Sequence, residues 1–232
     1  ARIAEKVAAA VPGSIIDFDV TEAGRAVGLS FLAAGKYFLI NNGPYLFNYD
    51  LPLDRARQNW NLFFYPGPAR TWICRSPLNY DRWVPSILFL THYFPDDPRS
   101  SQLVNMASLI LGQNGIWGDL PSVSPAGVEC ISRILTKYKQ VRDDITASDP
   151  IVTGAVGGSP EVHEKISQQT GRGAVVLFAT AKGKFRYITE SRPSTAVWSE
   201  GEVNVQFDRD RRAIVDADFT SPGAVIVFFG AE

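Results

Sequence analysis

Ile15-Ile16-Asp17-Phe18-Asp19-Val20-Thr21-Glu22 is the stretch on which the reading of the first half of the chain turns. Its residues alternate. Ile16, Phe18 and Val20 fall on one side of an extended strand, and Ile15, Asp17 and Asp19 on the other. Pro12-Gly13 separates this strand from residues 2–10, which read as the end of a helix. Downstream, residues 23–34 read as a short helix closed by Gly35, and 36–40 as a second strand. Strands alternating with helices predict a parallel sheet. The pattern continues less regularly: 61–65 and 70–75 are strand candidates, 86–93 is a buried strand or part of a helix, 101–111 is helical, and 115–118 is a short strand. The clearest helix is 125–145. Ser124 can cap it, Pro125 suits its first position, and Val128, Ile131, Leu135, Tyr138, Val141 and Ile145 recur at three- and four-residue steps.

After Asp149-Pro150 the texture changes. Glycines punctuate short apolar runs, and 175–179, 185–189, 203–207, 213–219 and 224–229 read as strands, with turn signals at Lys182-Gly183-Lys184 and Asp208–Arg211. Short strands at regular spacing predict a β-sandwich. The expected architecture is α/β followed by all-β, divided into 1–148 and 149–232.

Bulk properties exclude little but are consistent. The chain has 232 residues, 45% of them hydrophobic, and a net charge of −1 from 23 basic and 24 acidic residues. Nothing in that balance points to nucleic acid or an anionic membrane surface as a partner. No apolar run reaches the length of a membrane span. Cys74 and Cys130 read as free buried thiols, and His92 and His163 lack metal-ligand spacing.

The carboxylates carry the chemistry. In a parallel barrel one side of each strand faces the helices and the other faces the axis. Phe18 and its neighbours suit the helices, which leaves Asp17 and Asp19 toward the axis, near the carboxyl end of the strand where barrel sites lie. Two unpaired carboxylates there cost several kcal/mol, so they require a cation, a metal or a ligand rich in hydroxyls. The plainer alternative is that one of them caps the next helix or pairs with Arg25. A second polar stretch, Arg70 to Trp83, carries Trp72, Arg75, Asn79, Tyr80, Asp81 and Trp83, which suit stacking, forked donation and acid–base work on a sugar. Read as structure only, it is a polar surface loop with a buried Trp. Further polar residues follow other strands: Asn41, Asn42 and Asp50 after the second, His92 and Asp97 after 86–93, and Asp119 after Trp117.

These residues resemble the α-galactosidase (melibiase) group of glycoside hydrolases. Asp17 to Glu22 is similar to that group's Lys-Trp-Asp-Met-Asn-Arg motif on the fourth barrel strand, and Asp19 falls on the nucleophile. Arg75 to Trp83 resembles the stretch after the sixth strand, and His92 the histidine after the seventh. Residues 105–120 are similar to the last barrel helix and strand, and Tyr138-Lys139-Gln140-Val141-Arg142 to the Tyr-Lys-x-x-Arg of the final helix. The sequence departs from the group where Asp17 replaces a lysine and where Asn41 to Tyr45 replaces a Cys- and Gly-rich segment.

The resemblance implies strands 4–8 of a (β/α)8 TIM barrel followed by a C-terminal antiparallel β-sandwich. It implies retaining hydrolysis of an α-linked sugar, with Asp19 as nucleophile, Asp81 as acid/base and Asp50 in reserve for that role. Asp17, Asn41, Asn42, Asp50, Trp72, Arg75, His92, Asp97 and Trp117 would bind the sugar, without a cofactor. A full barrel needs about 250 residues, and only about 145 precede the expected sandwich. The expected partners are therefore carbohydrate, and a second copy or the missing amino-terminal half of the barrel. Two other readings stand beside this one: a barrel enzyme in which Asp17, Asp19 and Glu22 hold a divalent cation, and a carbohydrate-binding module without catalysis.

Overall fold

Helix α1 (Arg2–Ala10) opens the chain and stops where the sequence expects it to, with Gly13 at φ +86°, a conformation that only glycine adopts without strain. A computed structural model describes residues 2–19, 37–41, 87–93, 99–118, 120–155 and 158–232. Among the described residues, α1 is followed by four strands: β1 (Asp17–Asp19), β2 (Tyr37–Asn41), β3 (Ile87–Tyr93) and β4 (Gln113–Gly118). They form one sheet in the order β1-β2-β3-β4, every neighbouring pair parallel. Each described strand is thus adjacent in space to the next described one. Helix α2 (Arg99–Leu109) makes the crossover between β3 and β4, as parallel pairing requires.

Of residues 86–93, open between strand and helix from sequence, 87–93 are a strand because they pair on both edges, with β2 and β4. A strand enclosed in this way reads as a continuous apolar run. The helix expected at 101–111 runs from Arg99 to Leu109, and the strand expected at 115–118 begins at Gln113. The expected helix at 23–34 and strands at 61–65 and 70–75 lie outside the described residues. The resemblance puts a sixth barrel strand between the 36–40 strand and 86–93, but β2 pairs directly with β3, which leaves no strand between them.

Helix α3 (Pro125–Ala147) follows a short 3-10 turn at Leu120–Ser122. Ser124 caps it, its Oγ accepting the Gly127 N–H at 3.2 Å. Its buried face is Gly127, Cys130, Ile134, Tyr138, Val141 and Ile145. Of the stripe expected from sequence, Tyr138, Val141 and Ile145 are buried, Ile131 and Leu135 are half-buried and Val128 is exposed, because the first half of the helix turns its small residues Gly127 and Cys130 to the core. Cys130 is a free, buried thiol there, and Cys74 lies outside the described residues.

The remaining strands are antiparallel: β5 (Ile151–Thr153), β6 (Glu161–Ile166), β7 (Gly173–Ala179), β8 (Gly183–Ile188), β9 (Val197–Glu200), β10 (Val203–Phe207), β11 (Ala213–Phe219) and β12 (Gly223–Phe229). They make a five-stranded sheet, β5-β6-β7-β12-β9, and a three-stranded sheet, β10-β11-β8. The five strands expected here are present. Strands β5, β6 and β9 escaped the sequence reading because β5 and β9 are short and β6, Glu-Val-His-Glu-Lys-Ile, is mostly polar yet wholly buried.

Burial patterns show how the sheets stack. β11 alternates: Ala213, Val215, Ala217 and Phe219 are buried, while Ile214, Asp216 and Asp218 are half-buried on the outer face. That is the period of a sheet covered on one side. β7 and β12 are buried at every position. One of their faces, Val175, Leu177, Val225, Val227 and Phe229, packs on β11 and Tyr187. The other, Ala174, Val176, Phe178, Ala224, Ile226 and Phe228, packs on α2 and α3. Phe18 of β1 and Ile116 of β4 touch that same core. The layers therefore run parallel sheet, helices, five-stranded sheet, three-stranded sheet. Each large apolar side chain so enclosed contributes about 1.5–3 kcal/mol. No helix among the described residues is long and apolar enough to cross a membrane.

Candidate active site

All four strands of the first sheet run the same way, so their carboxyl ends lie along one rim. Asp19 ends β1, Asn41 ends β2, His92 and Tyr93 end β3, and Trp117 and Gly118 end β4. The register fixes how these ends align. Asp19 is level with Leu39, Asn41 with Leu90, and His92 with Trp117.

Register also sorts positions by face, because paired residues share one. Asp17 and Asp19 belong with Leu39 and Asn41, then with Leu88, Leu90 and His92, then with Gln113, Gly115 and Trp117. Phe18 and Ile116 belong to the opposite class, and they are the residues that pack toward the helices. Five positions nominated from sequence, Asp17, Asp19, Asn41, His92 and Trp117, thus occupy one register class, out of step with the helix-facing one. Asp17 is exposed on that side. Asn42, Asp50, Trp72, Arg75, Asp81 and Asp97 lie outside the described residues.

Several buried polar groups that the sequence reading passed over lie elsewhere. On β6, Glu161, His163, Glu164 and Lys165 are all buried. His163 Nε2 and Glu161 Oε1 are 2.7 Å apart, and Lys165 Nζ donates to the Leu111 carbonyl at 2.9 Å. Glu164 accepts from the Tyr187 hydroxyl at 2.8 Å and from the Glu190 and Ser191 N–H groups at 3.0 and 2.8 Å. Burial, with the Glu164 charge beside it, pushes the Tyr187 phenol well above its ordinary range. These bonds tie the two antiparallel sheets and the α2–β4 turn together, away from the rim. The signal that could have found β6 is its alternation, Val162 and Ile166 against Glu161, His163 and Lys165, hidden by the polar Glu164 on the apolar side.

Among the described residues no group of three or more His, Cys, Asp or Glu side chains is placed to hold a metal ion. Asp19, Asn41, His92 and Trp117 stand at the described ends of successive parallel strands.

Comparison with known proteins bears on the fold. No family model matches the chain, and no curated protein does. Solved structures do. A variant of the GH36 α-galactosidase AgaA from Geobacillus stearothermophilus, in complex with raffinose, superposes with a TM-score of 0.63 at 10% identity over 100% of this chain. A second AgaA complex, with 1-deoxygalactonojirimycin, gives 0.61 at 10% identity over 98% of the chain. The GH36 α-galactosidase AgaB of the same organism gives 0.59 at 10% over 98%. In each case the chain spans 30% of the length of the matched structure. Across all its described layers, the chain has an α-galactosidase-like glycoside hydrolase fold.

Proposed function

We propose that the chain supplies catalytic and sugar-binding residues of a retaining glycoside hydrolase acting on α-linked sugars, with α-galactosides as the substrate class. The four parallel strands are read as an arc of a (β/α)8 barrel occupying 1–148, and the two antiparallel sheets as a C-terminal β-sandwich occupying 149–232. The observation that supports this reading is the common register class of Asp17, Asp19, Asn41, His92 and Trp117 at the rim of the parallel sheet. The likeness to α-galactosidases solved with raffinose and with 1-deoxygalactonojirimycin supports the choice of sugar.

In the proposed reaction Asp19 attacks the anomeric carbon and forms a glycosyl-enzyme, while Asp81 protonates the departing glycosidic oxygen. Asp81 then takes a proton from water, which attacks the anomeric carbon and releases Asp19. The two inversions give net retention. Asp17, Asn41, Asn42, Asp50, Arg75, His92 and Asp97 are assigned to the sugar hydroxyls, and Trp72 and Trp117 to the ring face. A retaining pair of carboxyls stands about 5–5.5 Å apart. The test is a panel of aryl α- and β-glycosides, assayed with this chain alone and with any longer protein that contains it. Release of aryl alcohol from the α-galactoside, with the α-anomer as first product, is expected. Turnover confined to β-glycosides, or none on any glycoside with the longer protein, would remove the assignment.

A further inference from the structure

The buried carboxylate of Glu200 has no part in the reaction just described. It sits at the end of β9, opposite Ile226 of β12, on the side of the five-stranded sheet that faces the helices. Its side chain is 10% exposed. Two arginines from two different helices converge on it. Arg133 of α3 donates from Nη2 to Oε1 at 3.0 Å and to Oε2 at 2.9 Å. Arg99 donates from Nη2 to Oε1. Arg99 is the first residue of α2.

Burying a carboxylate costs several kcal/mol unless it is paired, and guanidinium donors are the pairing best suited to it. The exposed ion pairs differ in kind. Lys184–Asp218, with side chains 83% and 45% exposed, lies across the outer face of the three-stranded sheet and holds nothing beyond its own two strands. Glu200 alone among the described ion pairs reaches from an antiparallel strand to the amino terminus of the helix that follows β3. The next residue, Gly201 at φ +101°, turns the chain where a Cβ would meet Val225 Cγ1 at 2.8 Å, so the turn holds Glu200 at the strand end.

The amino terminus of α2 is joined to the carboxyl end of β3 by a short connection. Arg99 stands seven residues after His92 and two after Asp97. We infer that Glu200 is a positioning residue for the rim: by holding Arg99 against Arg133 it fixes where α2 starts, and so constrains the strand end that carries His92. This rests on the reading of the rim as a sugar site. The antiparallel sheets then act on the sugar site through one buried carboxylate as well as through apolar packing.

Two measurements test it. The first is amide hydrogen exchange in the wild type, Glu200→Gln, Arg99→Gln and the double variant. Residues 103–105 donate to the carbonyls of 99–101, so their exchange reports the first turn of α2. Glu200→Gln is expected to speed it roughly tenfold, with β7 and β12 unchanged, and the double variant to be no faster than Glu200→Gln alone. Unchanged exchange at 103–105, or equal acceleration in β7 and β12, overturns the inference. The second is kinetic, on aryl α-galactosides: Glu200→Gln is expected to raise KM several-fold more than it lowers kcat, and Arg99→Lys to restore most of the KM lost in Arg99→Gln. An equal loss in all variants overturns the positioning role. A wild-type protein that neither binds nor hydrolyses galactosides refutes the sugar-site premise instead, and the exchange result shows that this failure is separate from failure of the clamp.

Discussion

Asp19 stands at the last described position of β1, in register with Leu39 and out of step with Phe18, which packs toward the helices. If it is the nucleophile, Asp19→Asn leaves shape unchanged and removes the attacking charge. Turnover on aryl α-galactosides is expected to fall by about a thousandfold or more, with the circular dichroism spectrum and melting temperature preserved. Wild-type rates in this variant would reassign the role. A second residue-scale expectation concerns Tyr138. Its hydroxyl donates to the Gly112 carbonyl at 2.6 Å, and burial pushes its phenol up to about 12. The folded state thus favours the neutral phenol. The associated stability is complete below the unfolded value of about 10 and is lost as pH rises from there through about 12. Urea midpoints should hold from about pH 8 to 10 and fall above about pH 10. Tyr138→Phe should flatten the fall, while costing about 1–3 kcal/mol at neutral pH for the buried carbonyl left unpaired.

Among the elements, the β10–β11 turn is where backbone and residue type disagree. Arg211 has φ +65°, in the left-handed region, inside a loop held by Asp208. Asp208 Oδ1 accepts the Asp210 and Arg212 N–H groups at 2.9 and 2.8 Å, and those backbone donors, chiefly Arg212, hold its carboxyl below the usual carboxylate range. The turn is therefore maintained against the conformational cost at Arg211. Arg211→Gly should raise stability by up to about 1 kcal/mol, read as a higher urea midpoint at unchanged m-value. A lower midpoint would mean that the Arg211 side chain makes contacts outweighing the strain. Helix α3 offers the converse case. Ser124→Ala removes the acceptor of the Gly127 N–H and should cost about 1 kcal/mol.

For the molecule as a whole, the shared core decides the behaviour of the parts. Ala174, Val176, Phe178, Ala224, Ile226 and Phe228 face α2 and α3, and those helices in turn meet Phe18 and Ile116 of the parallel sheet. A boundary near Ser148 cuts the chain at a change of texture but leaves that apolar surface uncovered. Residues 149–232 expressed alone are expected to aggregate, or to bind a hydrophobic dye strongly, while strands β10 and β11 retain their pairing. A monomeric fragment of residues 149–232 with native-like melting would show that the helical layer is dispensable to the antiparallel sheets.

Much of the architecture follows from local periodicity. The steps of α3 over Tyr138, Val141 and Ile145, the alternation of β10 and β11, and the continuous apolar runs of β7 and β12 are legible because each reports its own burial, whereas Val128 shares the spacing and is exposed. The same alternation separates Asp17 and Asp19 from Phe18 before any coordinate is known. What only tertiary structure decides is where polar residues are buried. β6 hides Glu161, His163, Glu164 and Lys165, and Glu200 closes on Arg99 and Arg133. Such groups leave water only with a partner, and apart from the adjacent Glu161–His163 pair several of theirs lie far off in sequence: Lys165 reaches Leu111, 54 residues away, and Glu200 reaches Arg99, 101 residues away. A pattern confined to neighbouring residues carries no trace of a partner so distant, so the fold must form before the pairing can be seen.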